Sequence, residues 1–296
     1  MKKAKVFFSK GLGDYLLFFM LAENLFPHFL IKAYPKDHKQ IDEILSESDL
    51  IIVNGAERWF NILIQQRIKV LNLNNAYILF FSTCKQKSFL GDYKFSSQIG
   101  VLENLQNFCL AKLHLENISL ENGFRAPSFL ESKTSSKVIV LHAISFDFKR
   151  NWPKNKFLAL YKILKKNGYN PVFCFRDTEK AYFSEEELIS YTTYFFSSLH
   201  HLVNFLQKAI YFIGNDSGLG HLYSLLKIPI LTISASSRKR IFWKPFWQIG
   251  HVITLYALIL NCKGLRLREK YWHHFIEAWR VYWQFCKLKK DYERKV

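Results

Sequence analysis

The stretch Ala209-Ile210-Tyr211-Phe212-Ile213-Gly214-Asn215-Asp216-Ser217-Gly218-Leu219-Gly220-His221 passes from an apolar run into a polar, glycine-bearing turn and then into a segment of helical period. A short apolar run that ends in such a turn and leads straight into a helix is the βα unit of a parallel sheet. In open sheets of this kind ligands bind beyond the carboxyl ends of the strands. The turn therefore sits where function is expected. Ser217 and Gly218 would offer backbone amides to an anion at the helix N-terminus, and Asp216 and His221 would bring polar side chains to the same mouth.

Working outward, the same alternation fills the chain. Lys137–Ala143, Pro171–Phe175, Tyr191–Phe196, Ala209–Gly214 and Ile228–Ile233 read as strands, with helices near 154–167, 179–189, 198–208 and 217–226. Upstream, Ala4–Ser9, Phe29–Tyr34, Leu50–Val53 and Ala76–Phe81 repeat the pattern. Between the two series lies the polar segment Glu131–Ser136, the best linker in the sequence. The reading is α/β, with two Rossmann-like lobes: residues 1–132, then 133–262, followed by a terminal segment at 263–296. From Leu267 to Lys290 there is no Gly or Pro, which predicts one long helix with Trp272, Phe275, Trp279 and Trp283 on one face.

Composition agrees with two cores. Of 296 residues 49% are hydrophobic, so there is apolar surface enough for both lobes. Lys and Arg outnumber Asp and Glu by 42 to 24, a formal net charge of +18 that favours anionic partners. The five cysteines are scattered, without a C-x₂-C pair, which argues against a zinc site or disulfide framework and for a reducing compartment. Lys10 and Asp14 break the first apolar stretch, and Glu23-Asn24 stands where a cleavage site would be, so a signal peptide is not expected. Val252–Leu260 is too short to span a bilayer. A cytoplasmic protein is expected. The absence of any RNP-like motif or zinc finger makes nucleic acid an unexpected partner.

Two further constellations lie at strand ends. Lys10-Gly11-Leu12-Gly13-Asp14 follows the first strand and precedes a helix, so its glycines let a ligand approach the backbone and Asp14 faces the ligand edge. A tight turn with Asp14 as a helix cap reads equally well. His142-Ala143 ends a strand before Lys149-Arg150-Asn151-Trp152-Pro153-Lys154, where cations are placed to neutralise a diphosphate. Trp152-Pro153 looks like a helix start.

Taken in order and spacing, these three spans resemble glycosyltransferase family 9, which includes the ADP-heptose:lipopolysaccharide heptosyltransferases; the likeness runs from about residue 4 to about residue 245. The resemblance implies a GT-B fold, with the acceptor on the first lobe and the nucleotide on the second, and transfer with inversion at the anomeric carbon. It implies that Asp14 is the catalytic base, with Lys10 on the acceptor side. Gly11, Gly13, Asp216, Ser217, Gly218 and His221 would be donor-side residues. Arg150 falls where the family carries a phosphate-binding lysine, with Lys149 the close alternative. No metal and no cofactor beyond the sugar nucleotide, ADP-heptose foremost, is implied. The implied partners are that donor and a lipid-linked anionic glycan acceptor. The same fold acting on another nucleotide sugar or on a protein acceptor, and a non-catalytic nucleotide or lipid binder, stand as alternatives. One departure bears on the donor: Ala235-Ser236, followed by Arg238-Lys239-Arg240, occupies a loop where the family often has Gly-Pro. From Lys263 onward ten Lys or Arg face four Asp or Glu, interleaved with three tryptophans, so the terminal segment is expected either to pack back on the first lobe or to touch an anionic membrane.

Overall fold

The computed structural model describes residues 1–8, 11–36, 41–55, 57–80, 92–121, 137–145, 151–206, 208–235, 239–242, 244, 246–254 and 271–295. The chain divides into two compact units, Met1–Phe124 and Arg125–Val296. The expected linker at 131–136 lies outside the described residues.

The first unit carries β1 (Lys2–Phe8), α1 (Leu12–Leu25), β2 (Phe29–Pro35), α2 (Ile41–Ser46), β3 (Leu50–Asn54), α3 (Arg58–Val70), β4 (Ala76–Phe80), β5 (Asp92–Lys94) and α4 (Val101–Leu113). The five strands form one sheet in the order β2-β1-β3-β4-β5, every pair parallel. Strands covered on both faces read as unbroken apolar runs, and β3 is buried at all five positions. Phe7, Ile51, Val53, Phe60, Ile64 and Ile78 form the core under α3. Chain order reverses between β1 and β3, which opens a crevice at the carboxyl ends of those two strands.

The second unit carries β6 (Val138–His142), α5 (Lys154–Lys166), β7 (Asn170–Arg176), α6 (Glu185–Ser190), β8 (Thr193–Phe196), α7 (Leu199–Leu206), β9 (Ala209–Asn215), α8 (Gly218–Leu225), β10 (Ile230–Ile233), α9 (Lys239–Phe242), β11 (Gly250–Ile253) and α10 (Ala278–Glu293). Its sheet runs β11-β10-β9-β6-β7-β8, again wholly parallel, with the reversal between β6 and β9. Gly214 makes that junction possible: a Cβ there would stand 2.8 Å from the His142 carbonyl oxygen and 2.8 Å from the Phe212 ring. In α5 the residues Phe157, Leu160, Tyr161 and Leu164 turn inward at i, i+3, i+4 and i+7. Burying each of the apolar ones contributes about 1.5–3 kcal/mol. Trp152, fully buried, lies edge-on to Phe157 with ring centroids 4.8 Å apart.

Two expectations need correction. The helix expected at 179–189 is two pieces, a 3-10 turn at Asp177–Tyr182 and then α6, separated at Phe183, whose side chain is buried against the sheet. Ser184 restarts the helix through a capping box with Glu187, whose carboxylate also pairs with Lys154. The long helix expected at 267–290 is interrupted as well. After residues outside the description, a 3-10 turn at Trp272–His274 leads through Glu277, an extended N-cap, into α10. Trp152 donates its indole N–H to the Ile276 carbonyl (2.8 Å), and the Lys156 ammonium gathers the carbonyls of His273, His274 and Ile276 with the Glu277 carboxylate at 2.7–3.2 Å. Carbonyls claimed from outside do not continue a helical ladder.

The aromatic face also divides. Trp272 is buried in the core of the second unit, whereas Phe275, Trp279 and Trp283 face outward. The inner face of α10, with Val281, Phe285 and Leu288, packs on α5, β10 and β11 of its own unit. His251 of β11 lies 3.1 Å from the Asp291 carboxylate and 2.9 Å from Gln284 Nε2, which ties the edge strand to the helix. No helix among the described residues is long and apolar enough to cross a membrane.

Candidate active site

In the first unit three neighbouring strands deliver polar groups to one edge. Gly11 precedes α1 in an extended conformation, and its carbonyl accepts from the Tyr15 N–H at 3.1 Å. Asp14 occupies the first turn of α1, where the positive end of the helix dipole favours a carboxylate. The side chain folds back over Gly11, since a Cβ on that glycine would lie 2.9 Å from Asp14 Oδ2. Gly13 sits beside it, half-buried in the same turn.

Around Asp14 stand Asn54 at the end of β3, Lys36 just past β2 and Glu57 before α3. Lys36 is only 5% exposed; its ammonium donates to the Asn54 carbonyl at 2.7 Å and pairs with Glu57 Oε2 at 2.6 Å. Burial raises the Asp14 pKa above the ordinary carboxylate value; the Asn54 side chain and the Lys36 charge pull it back, while Glu57 pushes it up. Burial likewise lowers the Lys36 pKa against the opposing pull of Glu57 and Asp14. A desolvated carboxylate is a stronger base than one in water, and the buried cation beside it favours its ionised form. Lys36, Asn54 and Glu57 were not singled out from sequence. Lys10 lies outside the described residues.

In the second unit the edge between β6 and β9 is locked by Asn215. Its Oδ1 accepts from the Trp152 N–H (3.0 Å) and its Nδ2 donates to the Ala143 carbonyl (2.6 Å). Asn151 accepts from both the N–H (2.9 Å) and the hydroxyl (2.7 Å) of Ser145, so the two ends of the loop after β6 are joined. Lys149 and Arg150, within that loop, lie outside the described residues. His142 is buried and donates from Nδ1 to the Cys174 carbonyl at 2.8 Å, which makes it a fastening between β6 and β7.

Directly after Asn215 come Asp216, Ser217 and Gly218, all half-buried at the start of α8. The Ser217 Oγ is buried and has no hydrogen-bond partner among the described residues. It sits at the N-cap, beside backbone N–H groups that the first turn of a helix leaves without intrahelical acceptors. His221 lies one turn on, buried, with a pKa lowered by that burial and partly restored by Asp216. The neutral imidazole is the form at home there. An orphan hydroxyl at the N-terminus of a helix is an arrangement suited to an anionic oxygen.

The sequence profile of glycosyltransferase family 9 (heptosyltransferase) matches residues 96–263, more than half of the chain. The chain belongs to glycosyltransferase family 9. It is a glycosyltransferase by that membership, and the matched stretch takes in β6 through β11 with the α8 turn; Asp14 falls outside it. No curated protein sequence matches significantly. Among solved structures, ADP-heptose lps heptosyltransferase II of E. coli superposes with a TM-score of 0.65 at 16% identity, covering 98% of this chain and 99% of that one. The E. coli heptosyltransferase WaaC with ADP-2-deoxy-2-fluoro heptose gives 0.61 at 13% identity, with 96% and 99% covered. A family 9 glycosyltransferase from Veillonella parvula gives 0.59 at 16%, with 97% of each covered. These likenesses fix the fold as the GT-B type of the family 9 heptosyltransferases. Another neighbour, the dodecameric TibC of enterotoxigenic E. coli, is described as iron-containing; it gives 0.51 at 17% identity, covering 98% of this chain and 76% of TibC. Among the described residues of this chain no three His, Cys, Asp or Glu side chains are grouped so as to hold a metal ion.

Proposed function

We infer that this family 9 enzyme transfers heptose from ADP-heptose to a lipopolysaccharide core acceptor, with inversion and without a metal, at the cytoplasmic face of the inner membrane. The observation that carries the reading is the Asp14 carboxylate at the switch point of the first sheet, lifted by burial and steadied by Lys36 and Asn54. Its neighbours among solved structures support the donor: WaaC has been crystallised with ADP and with a fluorinated ADP-heptose.

In this mechanism Asp14 takes the proton of the acceptor hydroxyl as its oxygen attacks the anomeric carbon. The bond from that carbon to the β-phosphate oxygen breaks on the opposite side, and ADP leaves with the electron pair. The α8 amides and the Ser217 hydroxyl receive the growing negative charge of the diphosphate, together with Lys149 or Arg150. Fixed donors of this kind do the work that a divalent cation does in other sugar transfers.

The test is Asp14→Asn assayed with ADP-heptose and a heptose-deficient core acceptor. The amide keeps the shape and loses the base, so kcat should fall by about 10²–10⁴-fold with the donor KM retained. Unchanged kcat would remove Asp14 from the chemistry, and turnover of ADP-glucose in preference to ADP-heptose would change the donor. Wild-type activity that survives exhaustive chelation checks the metal-free scheme; loss restored by an added ion would overturn it.

A further inference from the structure

The outer face of α10 sets exposed aromatic rings beside basic side chains. Trp279 is 64% exposed, Trp283 57% and Phe275 48%, and the two tryptophans stand four residues apart on the side opposite Val281, Phe285 and Leu288. Arg280, Lys287, Lys290 and Arg294 flank them. Lys287 lies over the Trp283 ring with its ammonium 3.6 Å from the centroid, and Arg280 donates to the Phe275 carbonyl at 2.9 Å, so cations and rings form one continuous strip. The only carboxylates in 278–295 are Asp291 and Glu293; they face His251 at 3.1 Å and Lys289 at 3.7 Å respectively.

Two large rings held in water by a helix whose other face is fully packed bring no folding energy. They are free to enter an apolar phase. Tryptophan and basic side chains on one convex ridge match the headgroup boundary of an anionic bilayer, where the rings enter the acyl edge and the cations stay among phosphates. A second copy of the chain is a poor occupant, because each carries a net charge of +18 and would present the same positive ridge.

We propose that the Phe275/Trp279/Trp283 strip with Lys287 and Lys290 docks the protein on anionic phospholipid. The site belongs to the second unit alone and does not depend on the transfer chemistry, so it survives even if Asp14 proves inert.

The test uses the full chain and flotation with vesicles containing about 30% phosphatidylglycerol in phosphatidylethanolamine, beside pure phosphatidylcholine, in moderate salt. The wild type should float with the anionic vesicles and not with the neutral ones, and lipids brominated on the acyl chains should quench its tryptophan emission. Trp279→Ala with Trp283→Ala should weaken vesicle affinity roughly tenfold or more, with far-UV circular dichroism and Tm unchanged because both rings are exposed. Lys287→Ala with Lys290→Ala should weaken it by roughly fivefold per charge, less as salt rises. Asp14→Asn should bind as the wild type does. Undiminished binding by the double tryptophan variant would overturn the proposal. So would a concentration-dependent dimer abolished by that variant, or RNA binding lost with the same residues.

Discussion

Asn215→Ala separates a structural from a ligand-binding reading of the turn between β9 and α8. The side chain is buried and its two bonds go to the Trp152 N–H and the Ala143 carbonyl, both of them buried as well. Removal strands one donor and one acceptor with no route to water. Each orphaned group costs about 1–3 kcal/mol, so the variant should lose about 3 kcal/mol, with the small void left behind adding to rather than offsetting the loss. For a unit of this size about 2–4 °C accompanies each kcal/mol, which puts the fall in Tm at about 6–12 °C. Urea unfolding followed by tryptophan emission is a suitable assay, because Trp152 and Trp272 are both buried in the affected core. Asn215→Asp should be at least as damaging, since it keeps the acceptor for Trp152 but turns a carboxylate toward the Ala143 carbonyl. A destabilisation of Asn215→Ala below about 1 kcal/mol, accompanied by a loss of donor affinity, would refute the reasoning and make Asn215 a ligand contact.

Lys36→Met, made with Glu57→Gln so that no buried charge is left alone, should move the acid limb of the kcat/KM profile to higher pH. The ammonium favours the ionised form of Asp14 more than Glu57 opposes it, so the shift is upward but smaller than for Lys36→Met alone, and a limb that both the single and the double variant leave unmoved would show that Lys36 does not act through that carboxylate. Stability should fall as pH drops below about 6.5. His142 and His221 are fully buried with pKa values lowered by burial, so the unfolded chain takes up protons that the folded one refuses. Two such groups give a slope of at most about 2.7 kcal/mol per pH unit in that window, and a Tm that is flat or rising from pH 7 to 5.5 would contradict it.

Much of the fold was legible because buried parallel strands are unbroken apolar runs. Leu50–Val53, Ala209–Gly214 and Pro171–Phe175 were all found to within a residue or two of β3, β9 and β7. Asp92–Lys94 was missed because three polar or amphipathic residues on a sheet edge carry no period. Gly250–Ile253 was missed because its apolar tail at Val252 was read with the run that follows. The second half-site was legible as a local motif, since Asp216, Ser217, Gly218 and His221 are neighbours in sequence. Lys36, Asn54 and Glu57 were not, because only the parallel pairing of β2, β1 and β3 brings them to Asp14. A usable signal did exist. Lys36 and Asn54 each follow an apolar run within two residues, and polar residues at strand ends converge once the strands are aligned. His142 shows the opposite case, a polar strand-end residue whose ring is spent on the Cys174 carbonyl.

The bond from the Trp152 indole to the Ile276 carbonyl closes a loop of more than a hundred residues, and Phe285 and Leu288 complete the same core. During synthesis the second unit therefore remains open until the chain as far as Leu288 has left the ribosome, while the first can condense early. Truncations or fusions that reach back past Leu288 should be felt first as low yield of soluble protein, well before any question of catalysis arises.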